Sequence, residues 1–71
     1  MMKFKANTVY VATEKSTGKR IELLSVDYKT EIVLTLEKGK IVEHSLREFK
    51  NYQQLRPIEE KEKHFIKTFY A

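Results

Sequence analysis

The stretch Thr13-Glu14-Lys15-Ser16-Thr17-Gly18-Lys19-Arg20 gathers three cations and three hydroxyls around one glycine, a composition that invites phosphate chemistry. A phosphate-cradling loop needs another glycine five residues before Gly18 and a Ser or Thr after the lysine. This chain has Thr13 and Arg20 there. The continuation Ile21-Glu22-Leu23-Leu24 is strand-like, so Gly18 reads as the turn of a hairpin. A second chemistry fits the loop better. Lys3, Lys5, Lys15, Lys19 and Arg20 face only Glu14 as an acidic neighbour, and Tyr10 and Tyr28 flank the loop as stacking surfaces. These residues are the candidate nucleic-acid contacts, cations for phosphate and rings for bases. The competing reading leaves the lysines solvated at a hairpin tip and the tyrosines half-buried in strands.

Other reactive side chains form weaker patterns. Glu60 and His64 stand at helical i, i+4 spacing, but two ligands do not make a metal site. Glu43-His44-Ser45 puts acid, base and hydroxyl in a row, yet strand neighbours point to opposite faces, and Ser45 has a capping role. Glu59, Glu60 and Glu62 alternate with Lys61 and Lys63, as on a solvated helix face. No catalytic constellation emerges, no cofactor is implied, and the expectation is a protein that is not an enzyme. Phe65, Ile66, Phe69 and Tyr70 close the chain. They either complete the core, the favoured reading, or leave an apolar patch, in which case Phe65, Phe69 and Tyr70 are candidate protein contacts.

The elements that must position these residues are constrained by size. A chain of 71 residues supports one small core, and with no cysteine neither disulfides nor thiolate metal sites can supplement it. Hydrophobic residues at 41% and charged ones at 34% describe a folding domain, and the missing cysteine suits a reducing, cytoplasmic setting. No apolar run is long enough to span a membrane, and the basic start Met1 to Thr8 lacks the apolar stretch of a signal peptide. A net charge of +4 tilts toward acidic partners without making a basic stripe.

From Thr8 to Leu46 the residues favour strands. Residues 8–13 form the first. Residues 19–27 form a second whose apolar phase changes at Leu23-Leu24, which predicts a bulge or bend. Residues 30–37 alternate, with Ile32, Leu34 and Leu36 inward and Val33 and Thr35 outward, and Lys38-Gly39 supplies a tight turn into a fourth strand at 40–46. Ser45-Leu46-Arg47-Glu48 fits a capping box, and Leu46, Phe49 and Tyr52 at a spacing of three predict a short, tight helix. Leu55 to Ile58 read as an extended closing segment. The tail reads as a helix on its charge spacing, with Pro57 tolerated in its first turn and Glu59 four residues before Lys63.

This order of features, carried by Val9-Tyr10-Val11, Thr17-Gly18-Lys19-Arg20, Ile32-Val33-Leu34 and the run from Ser45 through Phe49 and Tyr52 to Leu55, resembles the SH3-like small barrel of Tudor and KOW-type modules. More narrowly, it resembles small proteins encoded by phages, prophages and other mobile elements of Gram-positive bacteria. The resemblance implies a mainly β fold: an antiparallel barrel of four to five strands over residues 1–58, with a helical turn, and a C-terminal helix over 59–71 packed on the same domain. It also implies a binding platform and no shared chemistry. The leading expectation is a module for protein–protein interaction, monomeric or weakly dimeric, with nucleic-acid binding as the alternative and no membrane partner.

Overall fold

The computed structural model describes residues 4–71. Six strands form two separate three-stranded antiparallel sheets, one ordered β2-β1-β6 and the other β3-β4-β5. The strands are β1 (Thr8–Glu14), β2 (Arg20–Leu23), β3 (Ser25–Asp27), β4 (Ile32–Glu37), β5 (Lys40–Ser45) and β6 (Phe49–Pro57), followed by the helix α1 (Glu60–Tyr70). The mainly β expectation and the terminal helix hold. Among the described residues the strands number six rather than four to five, and the sheets do not close on one another.

The extra strand comes from the phase change at Leu23-Leu24. Both leucines are buried although consecutive strand residues point to opposite faces. The chain resolves this by leaving one sheet at Leu23 and entering the other at Ser25, with the Leu24 N–H donating to the Leu34 carbonyl at 2.8 Å. The same doubling occurs at Val9-Tyr10 and Val33-Leu34, so each sheet needs cover on both faces. On one side Tyr10, Ala12, Leu23, Val33 and Phe49 form a single cluster, with Phe4, Ile21, Val26, Leu46 and Tyr52 packed around it. Val9, Leu24 and Leu34 are buried outside that cluster, and Glu62 and Ile66, one turn apart on α1, both border Leu24. The helix packs chiefly on β5, with Leu24 across shared hollows from it. Each fully buried leucine on these strands contributes roughly 1.5–3 kcal/mol by leaving water.

Strand β4 departs from the expected alternation. Val33, Leu34 and Thr35 are all buried while Leu36 is 37% exposed, because the middle of the strand is sandwiched and its end runs out past the cover. The β4–β5 hairpin is the two-residue turn anticipated: Lys38 (φ 51°) and Gly39 (φ 77°) are both left-handed, the geometry that matches the twist of the flanking strands.

The short helix expected from Leu46, Phe49 and Tyr52 is only a 3₁₀ turn over Leu46–Glu48, and Phe49 already begins β6. The spacing of three has another cause. Between Val11 and Thr13 of β1, which pair with Gln53 and Lys50, β6 carries one residue too many, a bulge at which Asn51 adopts φ 56°. One extra residue turns the strand period of two into three, so Phe49 and Tyr52 both reach the core. The Ser45–Glu48 capping box is present, the Ser45 N–H donating to Glu48 Oε2 at 2.7 Å and the Arg47 N–H to Ser45 Oγ at 3.3 Å. Pro57 ends β6 and stands outside the helix.

Candidate functional site

The structure disperses the residues chosen for nucleic acid. Lys5 precedes β1 and Lys15 and Lys19 follow it, so roughly 20 Å of strand separates them. Tyr28 sits in the β3–β4 turn and shares a hollow with Phe4, Ala6 and Asn7, at the Lys5 end. Tyr10 is only 6% exposed. Its ring packs edge-on against Phe4 at 5.1 Å and its hydroxyl accepts the Lys5 N–H at 2.8 Å, so it offers no face to a base. Arg20 is engaged within its own sheet. One guanidinium nitrogen donates to Thr13 Oγ1 (2.9 Å) and the Asn51 carbonyl (2.8 Å), and the other to Gln53 Oε1 (2.8 Å), binding β2, β1 and β6 side by side. Lys15 and Lys19 are exposed at the hairpin tip, where Thr17 Oγ1 donates to Glu14 and accepts the Lys19 N–H. Lys3 lies outside the described residues.

The terminal aromatics divide. Phe65 and Ile66 are half-buried, whereas Phe69 is 40% and Tyr70 66% exposed, their rings edge-on at 5.1 Å. None of the four belongs to the buried core, so the core role favoured from sequence goes no further than the partial cover of Phe65 and Ile66, and the last two are surface. Phe65 and Phe69 line a hollow against Ile41 of the β4–β5 hairpin, while Ile66 and Tyr70 line another on the opposite flank of α1, against Asn7 and Ile58.

Two polar assemblies escaped the sequence reading. Glu62, expected on a solvated face, is buried. Arg56 Nη1 and Nη2 donate to its Oε1 and Oε2, each at 2.7 Å, and Arg56 Nη2 also reaches Glu22 at 3.4 Å. The Arg56 hydrogen bonds hold the Glu62 carboxyl below the usual carboxylate range, against the opposing effect of burial. Glu62 Oε1 also accepts the Glu59 N–H at 3.0 Å, so the carboxylate caps its own helix while anchoring it. The spacing of three between Glu59 and Glu62 is the one signal in the sequence that could have pointed to this cap. The Glu62 partner on β6 was not legible there.

The other assembly centres on His44. Its Nε2 lies 2.8 Å from Glu37 Oε2 and 3.2 Å from Thr35 Oγ1, and its Nδ1 lies 3.5 Å from Glu48 Oε1. Burial alone would push the imidazole down, but the hydrogen bonds to Glu37 and Glu48 outweigh it and the group is raised above its ordinary value. Glu37 is held low by the Thr35 hydroxyl and then by His44, and Glu48 by the Ser45 N–H and then by His44. Thr35, His44 and Glu37 invite comparison with a nucleophilic triad. Thr35 is 1% exposed and its hydroxyl donates to Glu37 at 2.7 Å, so its proton is committed to the carboxylate and no ligand reaches the oxygen. What this arrangement does is hold an imidazole between two carboxylates that favour its protonated form, fastening β4, β5 and the 3₁₀ turn together.

Among the described residues no helix is long and apolar enough to cross a membrane. The chain matches no protein-family model, and no curated protein or solved structure matches it significantly.

Proposed function

We propose that the chain is a non-enzymatic binding module, its two sheets arranged in the manner of an SH3-like barrel, which recognises another protein through the surface built around α1. The observation that carries this reading is the exposure of Phe69 and Tyr70 on a helix that a bidentate ion pair clips to the sheet. Large aromatic rings held in place give up little conformational entropy on binding, which is why such residues dominate interface energetics. A frayed tail would not give this advantage.

The test is retention of a partner from bacterial lysate by the immobilised chain, wild type against Phe69→Ala/Tyr70→Ala. Both rings are exposed, so the fold survives the change. Loss of the retained protein in the double variant supports the reading, and unchanged retention overturns it. The alternative is decided in parallel by labelled DNA and RNA at low ionic strength. Binding that falls steeply with salt and disappears in Lys15→Glu/Lys19→Glu would transfer the function to nucleic acid.

A further inference from the structure

Two hollows run into one another along the Ile66 side of α1. The first, about 590 Å³, has Phe4, Leu24, Val26, Tyr28, Ile58 and Ile66 in its lining. The second, about 570 Å³, has Ile58, Lys63, Ile66, Lys67 and Tyr70. Asn7, Ile58 and Ile66 belong to both, so the floor is continuous and the groove is elongated. An exposed tyrosine stands in each half, Tyr28 at 47% and Tyr70 at 66% exposure.

The charges along this groove leave a small positive excess. It is lined by Lys29, Lys63 and Lys67 and by Asp27 and Glu60. Asp27 Oδ1 already accepts the backbone N–H groups of Lys29 (2.9 Å) and Thr30 (3.4 Å), and Glu60 pairs with Lys63 at 3.4 Å. Lys29 and Lys67 make no ion pair among the described residues. What remains is an apolar floor with a tyrosine in each half and one ammonium without an ion pair in each half.

We infer that this groove takes an extended segment of a partner protein that carries apolar side chains with Asp or Glu among them. This deepens the reading given above and rests on it, since it assigns the contact to one flank of α1 and gives the partner a chemistry. Apolar side chains fill the Ile58–Ile66 floor, and carboxylates meet Lys29 and Lys67.

The experiment is selection of a random displayed peptide library on the full-length chain, followed by anisotropy of the enriched peptides and of a labelled oligothymidine on three proteins: wild type, Lys29→Glu/Lys67→Glu and Lys40→Glu, an exposed charge reversal on the opposite flank of α1. Enrichment of apolar peptides rich in Asp and Glu is expected. Their affinity should drop on the order of tenfold in the double charge reversal and hold in Lys40→Glu. Enrichment of basic peptides, or equal binding to the reversed variant, overturns the inference. Binding lost only in Lys40→Glu moves the contact to the opposite flank, which sinks this assignment and leaves the protein-binding reading standing. No enrichment at all, or displacement of the peptides by oligothymidine from the same site, sinks both.

Discussion

Arg56 and Glu62 meet through two parallel hydrogen bonds of 2.7 Å, and this pair is the main polar tie between α1 and the sheet beneath it. The bidentate geometry uses the planar fork of the guanidinium, so lysine at position 56 would not reproduce it. Glu62→Ala should weaken folding by about 1–3 kcal/mol, below the 3–5 kcal/mol of fully buried pairs because Arg56 keeps partial access to water. Urea denaturation of Glu62→Ala, Arg56→Ala and the double variant measures the coupling. Hydrogen exchange should show α1 losing protection before the strands do. Additive single effects would show that the pair does not act as a clip.

The His44 cluster should make stability depend on pH with a definite sign. The imidazole is raised in the folded state, so the folded form binds the proton more tightly than the unfolded chain. That contribution is fully present below the ordinary histidine value of 6.5 and is lost as pH rises through the higher folded value. Glu37, Glu48 and Glu62 are lowered, so their contribution is present above the ordinary carboxylate value of 4.5 and is lost as pH falls toward their depressed values. Stability should therefore peak between the two transitions. The alkaline fall, read from urea midpoints between about pH 6 and 9, should vanish in His44→Gln; a fall of the same size in that variant would rule His44 out as its source.

Arg20 and its lysine neighbours should separate cleanly under mutation. Arg20→Ala removes hydrogen bonds that join three strands and should lower stability by about 1 kcal/mol. Lys15→Glu and Lys19→Glu, at the exposed tip, should change it by less than about 0.5 kcal/mol. Thermal melts of the three variants decide this, and a destabilised Lys19→Glu with an unaffected Arg20→Ala would contradict the assignment of structural roles.

The β4–β5 turn has room for improvement. Lys38 adopts φ 51°, a region where asparagine is tolerated better than lysine, so Lys38→Asn should raise the melting temperature by a few degrees at about 0.5 kcal/mol. Gly39→Ala should cost about 1 kcal/mol, because a Cβ at φ 77° is strained even though nothing lies within 4 Å to clash with it. A neutral Gly39→Ala would mean that the turn changes type readily.

Much of the architecture was legible in local chemistry. Lys38-Gly39 specified a tight turn, Ser45 and Glu48 a cap, and Leu23-Leu24 a break in strand phase, because each acts over neighbouring residues where spacing and side-chain type are decisive. The reading went astray where spacing was ambiguous. Phe49 and Tyr52 looked helical since a bulge at Asn51 imitates a period of three, and a bulge is decided by the register against β1.

The candidate sites show the same division. That Phe69 and Tyr70 stand near one another on a helix follows from their neighbouring places in the chain. Whether they are core or surface depends on how far the sheet extends beneath α1. Glu62 looked solvated among alternating charges until β6 brought Arg56 against it, and Tyr10 looked like a stacking face until Phe4 and the cluster around Leu23 enclosed it. Element types and turns were set by the chain itself, through forces that act over a few residues. Burial, ion pairing and the groove along Ile58 and Ile66 were decided only by tertiary structure, because each depends on residues distant in sequence being packed into one volume.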